Sequence, residues 1–151
     1  GWGKASPFNP SNFRHPARDR MITAVVGPFS NLVQMVAWAS LGLLLNTLLF
    51  HEYSFGLQAM STMPIPLLVC VYGIIINASL AVFNLLPVYP LDGHHVLSYF
   101  VPASLRPVID SPIWGLVLLF LVFNSNILHR IISPIIAVMI SGCAWLVGWP
   151  S

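Results

Sequence analysis

Two runs without a single charged side chain, Met21 to Phe50 and Pro64 to Leu86, constrain this chain more than any other feature. About 20 predominantly apolar residues suffice for a helix to cross the hydrocarbon core of a bilayer. Inside that core each backbone N–H and C=O has to be satisfied within the segment, which an α-helix does. The remaining composition agrees, since 57% of the 151 residues are apolar and only 7% are charged, where a soluble domain carries roughly a quarter. The expected fold class is therefore an all-α integral membrane protein, multi-pass, with residues 1–151 forming a single membrane domain in the lipid bilayer. A net charge of +2 provides no basic stripe of the kind that holds nucleic acid, so no nucleic-acid partner is expected. Cys70 and Cys143 both lie in apolar runs without zinc-finger spacing, and read as small packing residues rather than as a disulfide framework or a thiolate metal site. The chain opens Gly1-Trp2-Gly3-Lys4, which is not the pattern of a signal peptide. The absence of an initiator Met suggests a fragment or a processed chain.

Residues 1–20 hold four of the six Lys and Arg residues, Lys4, Arg14, Arg18 and Arg20, and by the positive-inside rule this end is expected on the cytoplasmic side. Asn9-Pro10 and His15-Pro16 favour extended or turn backbone, so a short extended or β segment at the membrane surface is expected, with helix beginning near Ala17 to Arg20. The first span is placed at 21–50. Within it Ala24, Gly27, Asn31 and Gln34 recur at helical intervals, predicting a small and polar face turned towards protein. Pro28 is expected to kink this helix. Taken alone, Asn31 fits either simple interhelical packing or a site. The connection from His51 to Met63 contains His51-Glu52, but Phe55 stands where a zinc-protease HExxH helix needs its second histidine, and the stretch reads as a polar loop.

The second span, 64–86, carries a similar stripe of Cys70, Gly73, Asn77, Ala81 and Asn84. Two crossings return the chain to its starting side, so the segment after Asn84 shares a face with the basic N-terminus. There the apolar run breaks at Pro87 and Pro90 and delivers Asp92-Gly93. A carboxylate at the end of a membrane-length segment is a functional-site candidate, while Pro-Leu-Asp-Gly is also compatible with a plain turn. His94 to Phe100 is expected as a short helix ended by Pro102 and Pro107. His94 and His95 lie beside Asp92, but neighbouring helical residues point about 100° apart, so at most one of them joins Asp92 in a metal cluster. The alternative is that both are polar residues at a helix start. Residues 113–149 hold one or two further membrane segments, broken by Asn124-Ser125-Asn126, His129, Arg130 and Pro134, which makes three to four transmembrane helices in all. Trp145 and Trp149 look like interfacial anchors.

Three stretches in order resemble the site-2 protease family of intramembrane zinc metalloproteases: Gly1-Trp-Gly-Lys with Asn9 to Asp19, Gly27-Pro-Phe-Ser-Asn31, and Phe83-Asn-Leu-Leu-Pro-Val-Tyr-Pro-Leu-Asp-Gly93. Together they cover residues 1 to about 98. The resemblance implies that Asp92 is the third zinc ligand. It also implies that Asn84, eight residues earlier, binds the substrate backbone or stabilises the oxyanion. Gly27, Pro28, Asn31, Asn77 and Gly93 are expected to support the site, with His94 and His95 left as lesser metal candidates. Zn2+ is the implied cofactor, a transmembrane protein the implied substrate, and a bacterial inner membrane the implied location. Zinc held by two imidazoles and one carboxylate keeps a position for water and lowers its pKa.

The departure from the family pattern is that no HExxH occurs in these 151 residues. The missing HExxH segment is therefore an expected partner in cis, and the isolated chain is expected neither to bind zinc tightly nor to cleave peptides. Two other readings compete. One is a catalytically inactive relative serving as a membrane scaffold or binding protein. The other is a small channel or transporter subunit that uses Asp92 and the histidines as a proton relay.

Overall fold

The computed structural model describes residues 16–50, 53, 60–126, 130 and 132–149, and among these there is helix and turn but no strand. The extended segment expected before Pro16 and the His51-Glu52 stretch up to Phe55, apart from Tyr53, lie outside the described residues. Helix α1 runs from Pro16 to Leu45, passes through Pro28, and continues as a π-helical turn over Asn46–Phe50. Next come α2 (Ile65–Asn84), α3 (Asp92–Phe100), α4 (Arg106–Ile109), α5 (Pro112–Asn124) and α6 (Ser133–Val147). Helices α2, α4, α5 and α6 each carry a proline in the first turn, where its missing N–H would have had no helical acceptor. Pro107, expected to end α3, instead starts α4.

The long helices α1 and α2 lie antiparallel along each other. Gly42 of α1 faces Cys70 of α2, and four residues back along α1 the Trp38 indole lies over Gly73. A Cβ at position 73 would stand 2.5 Å from the indole ring, so the aromatic side chain occupies space that any other residue would fill. Close approach through small residues is how helices associate in lipid, where dispersion contacts do much of what water expulsion does elsewhere. Met35 and Ala39 from α1 meet Leu67, Val71, Ile74 and Ala78 from α2 in the core. Helix α6 closes this core with Ile140, Cys143 and Ala144.

On α2 the expected stripe is buried at Cys70, Gly73, Asn77 and Ala81. On α1 the buried face runs through Ala24, Pro28, Met35, Ala39, Gly42 and Asn46. Gln34, expected on that face, is exposed and donates to the Ser30 carbonyl at 3.4 Å. A helix of 3.6 residues per turn carries the face from Asn31 to Met35 and leaves position 34 to one side. The outward faces are apolar, including Phe29, Val33, Leu48 and Leu49 on α1 and Ile65, Val69 and Ile76 on α2.

At the far end of α1 the buried amide of Asn46 donates to the Tyr53 carbonyl at 2.8 Å and accepts from the Tyr53 N–H at 3.3 Å. The Trp149 indole N–H donates to the same carbonyl at 3.3 Å. Trp149 is only 3% exposed and its ring lies against Gly42, so it is a core residue and not the interfacial anchor expected. The space left by Gly42 draws it inward. Trp145 is 83% exposed.

Two helices are long and apolar enough to cross a membrane, Arg18–Phe50 with 33 residues and Ile65–Asn84 with 20. Helices α5 and α6, with 13 and 15 residues, fall short of the roughly 20 needed. Asn124-Ser125-Asn126 ends the first of them and Ser133-Pro134 starts the second. Gly73→Leu, which drives a side chain into Trp38, should destabilise the fold by about 1–3 kcal/mol. Thermal unfolding in detergent measures this, and an unchanged midpoint would show that α2 does not approach α1 so closely.

Candidate active site

Helix α2 stops at Asn84 because Pro87 cannot donate into a further turn. The chain then closes short turns, with Val88 N–H on the Leu86 carbonyl at 2.8 Å and Leu91 N–H on the Val88 carbonyl at 2.8 Å. The Tyr89-Pro90 peptide bond within them is cis. Leu91 is extended, with ψ 155°, and α3 begins directly at Asp92. Asp92 and Gly93 thus form the first turn of α3 rather than preceding it as expected, and a carboxylate there is favoured by the helix dipole.

Two glycines make this arrangement possible. A Cβ built at Gly27 would stand 2.9 Å from the Asp92 Oδ2, so the carboxylate rests on α1 where the helix presents bare backbone. A Cβ at Gly93 would collide with the Leu85 and Leu86 carbonyl oxygens, so the loop leaving α2 folds directly onto the start of α3. The Gly27–Asp92 approach joins two residues 65 positions apart in the chain. It also agrees with the expectation that the end of the second span returns to the N-terminal half of the first. Pro28, one residue on, is buried, and Asn31, a helical turn on, is half-buried.

Asn84 is the last residue of α2 and half-buried. Among the described residues, no hydrogen bond engages its side chain or that of Asp92. Asn77 is occupied within its own helix, donating to the Gly73 carbonyl at 2.8 Å, which satisfies a buried amide without reaching another helix. His94 is 4% exposed, and its Nδ1 lies 2.6 Å from the Leu91 carbonyl. Because a carbonyl only accepts, Nδ1 is the donor in this contact. The His94 ring sits 5.1 Å from that of Tyr89 and 3.8 Å from that of His95. Among the described residues no three His, Cys, Asp or Glu side chains converge as a metal site.

Next to these residues lies a cavity of about 290 Å³ that nothing in the linear sequence announces. Its lining comes from α1, from α3 and from Arg106 and Asp110 at the two ends of α4. The one available signal was that Arg106 and Asp110 are two of only four charged residues after Leu86, with Asp92 and Arg130. Burial pushes the His95 imidazole below its ordinary pKa, the neighbouring His94 and then Arg20 push it further, and Asp110 and Asp92 oppose them. A histidine depressed in the folded state binds fewer protons there than when unfolded, so its contribution makes stability rise with pH through the ordinary histidine range and fall on acidification. The thermal midpoint should drop as the pH is lowered below that range, and His95→Gln should reduce the drop. Equal drops in both proteins would remove His95 from the account.

Residues 58–123, which include Asn84, Asp92 and α3, match the model of the family described as peptidase family M50. A protein of Bacillus subtilis (strain 168), YwhC, named provisionally as a zinc metalloprotease, is 26% identical over 137 residues. The alignment takes in 90% of this chain, which spans 60% of the length of that relative. No solved structure matches the chain. The matched segment contains the Asn84-to-Gly93 stretch that carries the resemblance read from the residues, and over that segment the chain is similar to peptidase family M50, consistent with the site-2 protease resemblance.

Proposed function

We propose that this chain forms the substrate-binding and carboxylate-bearing part of an intramembrane zinc metalloendopeptidase that cleaves transmembrane segments of other proteins. The observation that carries this reading is the seating of the Asp92 carboxylate on bare backbone at Gly27, within a segment that matches family M50. The described residues do not make a zinc site by themselves. An HExxH segment, absent from these 151 residues, is the partner that would complete the ligand set. What this chain contributes is a fixed negative charge at Asp92 and, at Asn84, an amide donor at the point where α2 gives way to loop. A donor so placed can bind a substrate backbone or stabilise developing charge on a carbonyl oxygen. Gly27 and Gly93 leave the room in which the carboxylate and the start of α3 sit, with Pro28, Asn31 and Asn77 as supporting residues nearby in sequence or on the facing helix.

The same reading places the protein in a bacterial inner membrane as a multi-pass protein, with α1 and α2 spanning and α5 and α6 as one or two further segments. A second reading is an inactive relative acting as a membrane scaffold or binding protein.

In the natural full-length polypeptide, Asp92→Ala should abolish cleavage of a transmembrane substrate and lower the zinc content measured by elemental analysis. Asn84→Ala should keep the zinc and slow cleavage by about 10²–10³-fold, the scale of a lost oxyanion donor. Full activity in either variant refutes the role of that residue, and a wild-type protein without zinc or cleavage favours the scaffold reading. Gly27→Val places methyl groups where the carboxylate sits and should cost about 10²-fold in cleavage by misplacing it, with helical content by circular dichroism unchanged. Wild-type rates in that variant would show that Asp92 acts independently of α1.

A further inference from the structure

We propose that the cavity between the N-terminal part of α1, α3 and α4 is a binding site for a phosphate group. The proposal does not depend on the protease reading, because it rests on the lining alone. Arg20 enters the cavity from α1 and Arg106 from α4, so two guanidinium groups from distant parts of the chain meet at one opening. Arg106 is oriented by its Nε, which donates to the Val101 carbonyl at 3.4 Å, and its terminal nitrogens are left to donate elsewhere. Asp110 is the sole carboxylate of the lining, and Ser98 Oγ donates to its Oδ1 at 2.5 Å. Among the described residues, two guanidinium groups and one carboxylate line the cavity.

Arginine forks and hydroxyl donors suit the several oxygens of a phosphate, which accepts bidentate hydrogen bonds. Tyr99 supplies a phenol to the same lining. The volume, about 290 Å³, has room for a phosphate together with the group it is esterified to. The cavity also lies at the end of a helix long enough to span a bilayer, beside Tyr99 and Phe100, which are 40% and 73% exposed. Exposed aromatic side chains favour the membrane–water boundary, and basic pockets at the ends of spanning helices accept anionic headgroups. A phosphodiester of an anionic lipid and a free phosphate share the chemistry that this lining recognises.

The test uses the full-length protein in detergent, titrated separately with dioleoylphosphatidylglycerol, dioleoylphosphatidylcholine and inorganic phosphate. Lipid adducts are counted by native mass spectrometry, and phosphate is read from the thermal midpoint. Saturable retention of phosphatidylglycerol over phosphatidylcholine, weakened about tenfold or more by Arg106→Gln and by Arg20→Gln, and partly restored by Arg106→Lys, supports the site with a lipid source. A saturable shift with inorganic phosphate that responds to the same variants, without preference between the two lipids, supports it with a soluble source. Arg130→Gln, remote in sequence from the cavity, should change neither readout. If Arg106→Gln is poorly folded, Arg106→Lys and Arg20→Gln carry the comparison. Absence of saturable binding of either probe, or equal binding by wild type and the Arg20 and Arg106 variants, overturns the proposal.

Discussion

The antiparallel contact of α1 with α2 is the interaction on which the rest of this structure depends. It is made through small residues, with Trp38 laid over Gly73 and Gly42 facing Cys70. In a lipid environment the apolar side chains on the outer faces gain little by leaving their surroundings, so helices are held where atoms come closest. Both helices obey that rule along the seam and ignore it on their outer faces, where Phe29, Leu48, Ile65 and Ile76 stand exposed. Because the two helices run antiparallel, whatever follows α2 is delivered to the N-terminal half of α1. That is where Asp92 is found.

The two ends of the seam are secured by different means. At one end, α3 is drawn against α1 by the absence of a side chain at Gly27, and against its own preceding loop by the absence of one at Gly93. The carboxylate is thus placed by backbone shape, with no hydrogen bond from another described residue. At the other end, polar groups do the holding: the Asn46 amide and the Trp149 indole both reach Tyr53, and the Trp149 ring covers Gly42. Satisfied buried polar groups are costly to separate, which makes that end a fixed base. At the α3 end the Asp92 and Asn84 side chains make no hydrogen bond among the described residues, the condition under which a group can serve a ligand rather than the fold.

The family resemblance and the geometry meet on the stretch from Asn84 to Gly93. Asn84 terminates a helix of spanning length, two prolines prevent its continuation, and Asp92 opens the next helix. Non-helical backbone at the end of an apolar segment is tolerated where protein covers it, and here the loop is folded onto Gly93. Beside it lies a polar cavity lined by residues of α1, the loop before α3, α3 itself and α4, Arg20 and Arg106 among them. One end of the bundle therefore carries both the carboxylate and this cavity, while the opposite end has a purely structural lock.

The sequence by itself determined the helical class, the two helices of spanning length, the inward stripe of α2, the return of Asp92 towards the N-terminal half of α1, and the resemblance to a family. Each of these follows from local quantities: the length of an uncharged run, the period of a helix and the positions of prolines. It misled where the outcome depends on what lies opposite. Gln34 has the right spacing but falls off the buried face, which the partner helix sets at Met35 and Ala39. Trp149 has the composition of an interfacial anchor but finds the gap at Gly42. The seating of Asp92 on Gly27 and the meeting of Arg20 with Arg106 in one cavity were decided by tertiary structure alone. They join residues far apart in the chain, and only the packing of the helices brings them within reach of one another.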